Sequence, residues 1–185
     1  MKYFQQIASG IDVIPLALAL ARQPELWNAH NERKEYELSA HIGTSDIWVR
    51  YNDLKNLSDD YEKYTSEHDS VWLPVYQKLP QLRSIVFGLM ARCEATRLGG
   101  VLITKIPAGG HVLPHADTGW HPNYYSTKIY VPILTNPKVV NRVMDEKVIM
   151  SSGDAWYFNN TVEHEVVNGG DSDRVTLIVC MRCEG

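Results

Sequence analysis

Two histidines and one carboxylate in the later part of the chain could together hold a metal ion. His115 and Asp117 are separated by one residue, so in an extended segment their side chains point to the same side. His164 lies on a separate predicted strand and would complete the set. Two imidazole nitrogens and one carboxylate oxygen leave coordination positions open on one side of the ion. This is the ligand set of non-haem Fe(II) centres that react with O2.

Each of these residues has a plainer interpretation when it stands alone. An isolated His-x-Asp pair such as His115 and Asp117 is more often a loop in which the side chains bond each other or solvent. A single strand histidine such as His164 is more often a core residue that bonds a backbone carbonyl. Only the combination, within strand-like sequence, favours a metal site. A zinc hydrolase is not favoured, because no general base stands at a recognisable spacing.

A cation opens the last predicted strand. Arg174 follows His164 by ten residues and shares a strand face with Thr176. A guanidinium that faces the interior needs an anion, because an unpaired buried charge costs several kcal/mol. The carboxylate of an organic co-substrate would supply one. The alternative is a surface arginine paired with Asp171 or Asp173.

Lys128 and Tyr130 share one face of the predicted strand 126–134. If that face points inward, the two residues add a second cation and a hydroxyl group to the same pocket. Exposure of Lys128 at the surface is the open alternative. Pro132 removes one backbone donor from this strand, so we expect the strand either to lie at a sheet edge or to carry a bulge.

The second half of the chain reads as short strands separated by turn signals. The predicted strands are rich in β-branched and aromatic residues and cover 101–106, 126–134, 138–143, 147–150, 155–158, 163–167 and 175–181. Strands of this number and spacing predict a sandwich or jelly roll. The predicted fold class is therefore mainly β with flanking helices.

The first half is predicted to be richer in helices. Helices are expected over 13–21, 71–79 and 82–93, with a short strand over 47–51 and a polar surface loop over 52–69. These helices would cover one outer face of a sheet. The expected organisation is a single domain, in which residues 1–98 support a jelly-roll core formed by residues 99–185.

Composition excludes several functional classes. The formal net charge of −4 gives no overall attraction to nucleic acid or anionic membranes. No apolar run approaches the ~20 residues that would span a bilayer, and the apolar stretch 13–21 is predicted to be a helix rather than a signal peptide. Three cysteines without framework spacing suit a reducing cytoplasm, where we expect the protein to act.

Four segments resemble a known enzyme class. Residues 106–117 (IPAGGHVLPHAD) resemble the metal-binding segment of the 2-oxoglutarate/Fe(II) dioxygenases. Residues 152–159 (SGDAWYFN), 162–168 (VEHEVVN) and 173–178 (DRVTLI) are similar to the aspartyl/asparaginyl β-hydroxylase-like branch, which includes hydroxylases of free amino acids such as proline. The resemblance covers residues 99–181, and residues 46–50 match the branch more loosely.

The resemblance implies a fold, a cofactor and a reaction. The fold is a double-stranded β-helix, the cupin-like jelly roll, with the metal between its two sheets. Fe(II) would be held by His115, Asp117 and His164, and 2-oxoglutarate would chelate the iron and place its distal carboxylate on Arg174. The implied reaction hydroxylates an unactivated C–H bond while 2-oxoglutarate and O2 yield succinate and CO2.

Two departures from the branch limit what the resemblance implies. Some members place an arginine and a histidine where this chain has Lys128 and Tyr130, so a second contact to the co-substrate stays open. Some β-hydroxylases of the branch lack the carboxylate ligand. Asp117 groups this chain with members that have the full triad, so peptidyl-aspartate activity does not simply carry over.

Substrate and competing functions remain open at this level. Trp48, Arg50, Trp120 and Tyr124 are candidate substrate residues, and an arginine would suit the carboxylate of a free amino acid. The expected partners are O2 and a small-molecule or peptidyl substrate. One alternative is a nucleic-acid-modifying dioxygenase, which the absence of a basic stripe disfavours. Another is a non-catalytic cupin-like module that binds a metal or ligand.

Overall fold

The computed structural model describes residues 1–30, 39–59 and 61–184. Within these ranges the chain forms eleven strands: β1 (Phe4–Ala8), β2 (Ser45–Tyr51), β3 (Val71–Trp72), β4 (Ala95–Ile106), β5 (His111–His115), β6 (Thr127–Leu134), β7 (Val139–Val143), β8 (Glu146–Val148), β9 (Ala155–Phe158), β10 (His164–Asn168) and β11 (Arg174–Cys183). The α-helices of the same ranges are α1 (Ile14–Ala21), α2 (Leu54–Asp59), α3 (Tyr61–Thr65), α4 (Leu82–Arg92) and α5 (Trp120–Tyr124). Short 3-10 helices cover Pro24–Leu26 and Pro74–Lys78.

The strands build two antiparallel sheets that share a core. The major sheet has seven strands in the order β1-β9-β6-β11-β4-β2-β3, and the minor sheet has four in the order β5-β10-β7-β8. Leu102 and Ile178 of the major sheet pack with Val112 and Val166 of the minor sheet in one buried cluster. This architecture confirms the prediction of a mainly β fold with flanking helices.

The major sheet is covered on both faces, and the two faces differ in chemistry. On β11, Val175, Leu177 and Val179 point outward and pack in an aliphatic cluster with α1 and α4. Arg174 and Thr176 alternate with them and point inward, toward the minor sheet. The outer face is therefore hydrocarbon, whereas the inner face carries the polar groups that could form a site.

The first half of the chain contributes strands as well as helices. β1, β2 and β3 all belong to the major sheet, and β4 runs without interruption through residue 99. The helices predicted over 13–21 and 82–93 are confirmed as α1 and α4. Residues 1–98 therefore extend the sheet that the later strands begin, as well as covering its outer face.

The helix predicted over 71–79 is wrong. Residues Val71–Trp72 form β3, and Pro74–Lys78 form a 3-10 helix. Pro80 has no backbone N–H to donate to the Tyr76 carbonyl, so an α-helix cannot continue through it, and the short segment after Pro74 forms a 3-10 helix. The rings of Trp72 and Tyr76 stack with their centroids 3.9 Å apart and fix the turn.

The polar loop predicted over 52–69 is also wrong, because it contains α2 and α3. Asn52 anchors the pair, since its buried side-chain Nδ2 donates to the Tyr64 carbonyl at 2.8 Å. The Asp53 carboxylate accepts the Lys55 backbone N–H at 3.1 Å and satisfies a donor of the first helical turn. One buried ring, Tyr64, holds this polar segment on the fold.

Pro132 is accommodated by an irregularity rather than by an edge. β6 lies inside the major sheet, between β9 and β11. The register of β11 against β6 shifts between Val175 and Thr176, where Thr176 pairs with Pro132. This observation confirms the bulge alternative.

Among the described residues, no helix is long and apolar enough to cross a membrane.

Candidate metal centre and adjoining cavity

Backbone pairing brings the two histidines together. β5 and β10 are neighbouring antiparallel strands of the minor sheet, and His115 is the register partner of His164. Residues that face each other across such a ladder have Cβ atoms about 5 Å apart. Asp117 follows β5 directly, and its backbone N–H donates to the Asn160 carbonyl at 2.9 Å. Hydrogen bonds between strands and loops thus position all three side chains.

The three side chains present one ligand atom each to a common point. The Asp117 Oδ1 atom lies 3.5 Å from His115 Nε2 and 4.0 Å from His164 Nε2. The possible ligand atoms of this trio all lie within 4.8 Å of one another. An ion among them would be reached by two nitrogens and one oxygen, as the sequence predicts.

Hydrogen bonds fix the histidine tautomers in the form that a metal needs. The Nδ1 atom of His115 lies 2.8 Å from the Leu113 carbonyl, and that of His164 lies 3.0 Å from the Val162 carbonyl. A carbonyl only accepts, so each Nδ1 carries the proton and each Nε2 keeps its lone pair. The His164 Nε2 atom is buried and has no hydrogen-bond partner among the described residues. Such an orphaned lone pair fits a metal ligand.

The charges of the site favour an ionised carboxylate beside a neutral histidine. Burial alone would raise the pKa of Asp117, but the Lys128 ammonium and the two histidines hold it well below its usual range. Burial, followed by the positive charge of Lys128, lowers the pKa of His164 to about 4. Both groups are therefore in their metal-binding protonation states at neutral pH.

Arg174 is a buried cation without a carboxylate partner among the described residues. It is 2% exposed, and its guanidinium donates to the Asn141 side-chain oxygen at 3.1 Å and lies over the Tyr130 ring, 5.3 Å from the centroid. Its Nε atom has no partner in the described part of the chain. Burial lowers the pKa of Arg174 to about 10, although Tyr130 opposes this effect. An anionic ligand would complete this environment.

Two hydroxyl groups on the same inner face also lack hydrogen-bond partners. Thr176 and Thr104 are register partners on β11 and β4, and both are buried. Neither Oγ1 atom has a partner within the described ranges. Hydroxyl donors beside a guanidinium match the needs of a carboxylate. The residues predicted to bind the co-substrate, Arg174 and Thr176, therefore share one buried face.

Comparison with known proteins supports this interpretation. The profile of the aspartyl/asparaginyl β-hydroxylase family matches residues 20–182 of the chain. The chain belongs to this family. Together with the His-Asp-His trio, membership makes it a 2-oxoglutarate-dependent non-haem iron dioxygenase of the hydroxylase type, and it confirms the family resemblance of the sequence. No curated protein matches the sequence.

Solved structures share the fold of this β-hydroxylase family member. A prolyl hydroxylase from Trichoplax adhaerens, in complex with a hypoxia inducible factor peptide fragment, is 10% identical with a TM-score of 0.61, covering 96% of this chain and 82% of that one. A Pseudomonas putida prolyl-4-hydroxylase is 15% identical with a TM-score of 0.56 and coverages of 98% and 93%. The viral collagen prolyl hydroxylase of Paramecium Bursaria Chlorella virus-1 is 7% identical with a TM-score of 0.57 and coverages of 98% and 97%. At these identities the comparison shows the fold alone, and it confirms the predicted jelly roll.

A cavity of about 310 Å³ adjoins the metal centre of this hydroxylase. Asp117, Lys128 and Asn160 lie at its polar end. The remaining lining is mostly aromatic or aliphatic and comprises His41, Trp48, Tyr51, Gly100, Leu102, Thr118, His121, Pro122, Tyr125, Ile178 and Cys180. A space of this size, next to three converging ligand atoms, suits an organic substrate.

The short helix α5 forms one wall of the cavity. Gly99 allows this approach, because a Cβ atom there would lie 2.5 Å from the Tyr125 ring. The backbone N–H of Gly100 donates to His121 Nε2 at 3.3 Å, so the ring proton of His121 lies on Nδ1. Burial lowers the pKa of His121 to about 4. His121 is therefore an uncharged donor in the cavity wall at neutral pH.

Not all of the predicted substrate residues line the cavity. Trp48 lines the cavity, but Arg50 does not: its guanidinium donates to the Leu98 carbonyl and lies over the Trp72 ring. The cause is a register shift in β2 between Trp48 and Arg50, after which Arg50 pairs with the outward-facing Val101. Without this shift, Trp48 and Arg50 would share one face of the strand.

Trp120 and Tyr124 of α5 also lie outside the residues that line the cavity. The Trp120 indole donates to the Thr65 carbonyl at 2.8 Å, and Tyr124 packs under the Arg182 guanidinium. Their contact with a substrate stays a prediction. Lys128 faces inward rather than being exposed at the surface, and its ammonium contacts Asp117, 2.5 Å away. Tyr130 faces inward beneath Arg174.

Several site residues escape sequence reasoning. Tyr51 lines the cavity only because of the irregularity in β2, which no local pattern signals. Asn160 reaches Asp117 from the turn after β9, and Asn141 reaches Arg174 from the opposite sheet. His121 enters the cavity wall from α5. These contacts join residues that are distant in sequence. The sequence alone shows only an asparagine near a predicted strand and does not indicate its partner.

Proposed function

We propose that this chain is an Fe(II)- and 2-oxoglutarate-dependent dioxygenase that hydroxylates an unactivated C–H bond of an amino acid or of a residue within a peptide, with release of succinate and CO2. One observation carries the proposal. His115 Nε2, His164 Nε2 and Asp117 Oδ1 converge at one end of the inner face, while the buried Arg174 lacks a carboxylate partner among the described residues. A metal and a dicarboxylate together would satisfy both features.

Each residue has a defined task in this proposal. His115, Asp117 and His164 would hold the iron, and Arg174 with Thr176 would hold the distal carboxylate of 2-oxoglutarate. With the iron and the co-substrate bound there, O2 would be the oxidant: one of its oxygen atoms would enter the substrate C–H bond, and the other would enter succinate as 2-oxoglutarate loses CO2. The protein orients the reactants and excludes water with the apolar walls of the cavity.

The lining of the cavity favours a peptide residue over a free amino acid. Lys128 is the only lysine or arginine among the described lining residues, and Asp117 already pairs with it. The remaining walls offer rings and an uncharged His121 donor. A substrate with an amide carbonyl and an apolar side chain matches these groups better than one with a free carboxylate does. That the Trichoplax neighbour was solved with a peptide fragment is consistent with this preference.

Anaerobic titration of the apoprotein with Fe(II) and 2-oxoglutarate tests the metal and the co-substrate. We expect a weak visible band near about 500 nm, as for an open two-histidine, one-carboxylate iron site with a keto-acid chelate. The band should vanish in Asp117→Ala and His164→Ala and persist in the exposed control Asp145→Ala. Metal binding without the band would instead favour the non-catalytic cupin-like alternative.

Succinate release tests the substrate class. Each free amino acid would be compared with its N-acetyl amide and with a short peptide that contains it. We expect release above the uncoupled background only with the amide or the peptide. Release with free amino acids alone would overturn the preference for peptides and leave the hydroxylase proposal in place. Tight binding of single-stranded DNA at low salt would revive the nucleic-acid alternative.

A further inference from the structure

The Lys128 side chain is directed at the Asp117 carboxylate. Its side chain lies on the inner face of β6 and is 12% exposed, and its Nζ atom is 2.5 Å from Asp117 Oδ2. Rings surround the rest of the ammonium group, with the Phe158 centroid at 5.6 Å and the Tyr130 centroid at 6.0 Å. The only carboxylate that pairs with Lys128 in the described part of the chain is that of Asp117.

Asn160 holds the same carboxylate from a different element. Its Nδ2 atom donates to Asp117 Oδ2 at 2.7 Å, and its backbone carbonyl accepts the Asp117 N–H at 2.9 Å. Asn160 is itself buried, at 3% exposure. The Oδ2 atom therefore has two donors, while Oδ1 alone faces His115 and His164.

The different partners of the two Asp117 oxygens affect how this carboxylate can bind a metal. A carboxylate can bind a metal through one oxygen or through both. If Lys128 and Asn160 occupy the lone pairs of Oδ2, only Oδ1 is left for an ion, and more coordination positions stay open for other ligands.

We propose that Lys128 and Asn160 are positioning residues that hold Asp117 as a ligand through a single oxygen, and that Lys128 does not contact the co-substrate. This inference rests on the proposed metal site. It replaces the expectation that Lys128 binds 2-oxoglutarate, and it gives Asn160 a role that sequence reasoning did not provide.

Binding of Co(II) to the apoprotein tests the proposal without turnover. Calorimetry would give the affinity, and the visible absorption of the bound Co(II) would report its coordination. We expect Lys128→Met and Asn160→Leu each to weaken Co(II) binding about 10- to 100-fold and to change the spectrum. Lys128→Arg, which keeps a cation and donors, should recover most of the affinity. The exposed control Lys138→Met should match wild type.

The affinity of the Co(II)-loaded protein for 2-oxoglutarate separates the two roles of Lys128. If Lys128 acts only through Asp117, this affinity should stay within about threefold of wild type once Co(II) is saturating. Normal Co(II) affinity with a large loss of 2-oxoglutarate affinity in Lys128→Met would overturn the proposal and make Lys128 a co-substrate ligand. Unchanged Co(II) affinity and an unchanged spectrum in both variants would also overturn it.

Two further results keep the outcomes distinct. If wild type fails to bind Co(II), the metal site of the proposed function is itself contradicted, and this inference falls with it. If Lys128→Met does not fold, as judged by circular dichroism, the decision passes to Asn160→Leu and Lys128→Arg. In that case, wild-type Co(II) affinity and spectrum in Asn160→Leu would overturn the shared role of the two residues.

Discussion

Two cations are buried on the inner face of neighbouring strands, and their surroundings are opposite. Lys128 on β6 has a carboxylate partner 2.5 Å away, whereas Arg174 on β11 has only an amide oxygen and a ring. Burial lowers the pKa of Arg174 to about 10. Burial would also lower the pKa of Lys128, but the charge of Asp117 outweighs it and raises that pKa.

The difference distinguishes a charge that is paired within the fold from a charge that can bind an anionic ligand. A buried charge that is already paired within the chain has little to gain from a ligand, but one surrounded by neutral groups gains strongly from an anion. We infer that Lys128 organises the metal ligands and that Arg174 binds the co-substrate. Four predictions follow from this comparison, and each could contradict it.

Arg174→Met should have the largest effect on binding. We expect the affinity of the metal-loaded protein for 2-oxoglutarate to fall about 1000-fold, because the carboxylate loses its only buried cation. The free energy of unfolding of the apoprotein should stay the same or rise by about 1 kcal/mol, because an uncompensated charge leaves the core. Calorimetry and urea denaturation measure the two quantities. Exposed Arg97→Met is the control, and retained affinity would contradict the role of Arg174.

Asp117→Ala should destabilise the apoprotein by about 3 kcal/mol, because it leaves Lys128 buried without a partner. The double variant Asp117→Ala/Lys128→Met should recover most of this loss, since it removes both charges. Urea denaturation of the two variants and of each single substitution gives the coupling energy. Equal losses in Asp117→Ala and the double variant would mean that the lysine does not depend on the carboxylate.

Asn141→Asp would give Arg174 the internal partner that Lys128 already has. We expect the affinity for 2-oxoglutarate to fall about 30-fold, because the new carboxylate competes with the ligand for the guanidinium. Asn141→Leu, which adds no charge, should cost only about tenfold by loosening Arg174. Similar losses in both variants would mean that Asn141 acts through packing rather than through charge.

The smallest expected effect concerns His121, a base in the same cavity that is uncharged at neutral pH. Its pKa is lowered from 6.5 to about 4, chiefly by burial, with His68 and Lys128 adding to the effect and Asp117 opposing it. A base with a lowered pKa binds fewer protons when folded, so its contribution to stability is complete above about pH 6.5 and is lost as the pH falls toward about 4. Wild type should therefore lose roughly 1 kcal/mol more than His121→Phe between about pH 7.5 and about pH 5.5. Parallel stability curves would show that folding does not lower the pKa of His121.

The sequence predicts those helices and strands that depend on patterns within a single segment. The runs that form β6, β9 and β11 are rich in β-branched or aromatic residues, and the apolar stripe of α4 repeats at helical spacing. The spacing of His115 and Asp117 is informative because side chains two residues apart on an extended segment point to the same side.

The remaining features depend on interactions between distant parts of the chain. β1 was missed because Phe4–Ala8 includes two glutamines, and only its pairing with β9 makes it a strand. The register shift after Trp48 depends on pairing with β4, so the sequence of one strand does not reveal that Arg50 lies outside the cavity lining. Asn160 and Asn141 look like ordinary turn and strand amides until the sheets close around Asp117 and Arg174.

The pairing of His115 with His164 across β5 and β10 has a consequence for folding kinetics. The two residues are 49 positions apart (164 − 115), so an ion held by both would close a long loop, as a reversible cross-link does. Because binding stabilises only the folded arrangement, metal occupancy would slow the opening of these two strands. The minor sheet would then gain protection from amide hydrogen exchange when the metal binds, and it would be the first region to lose that protection when the metal leaves.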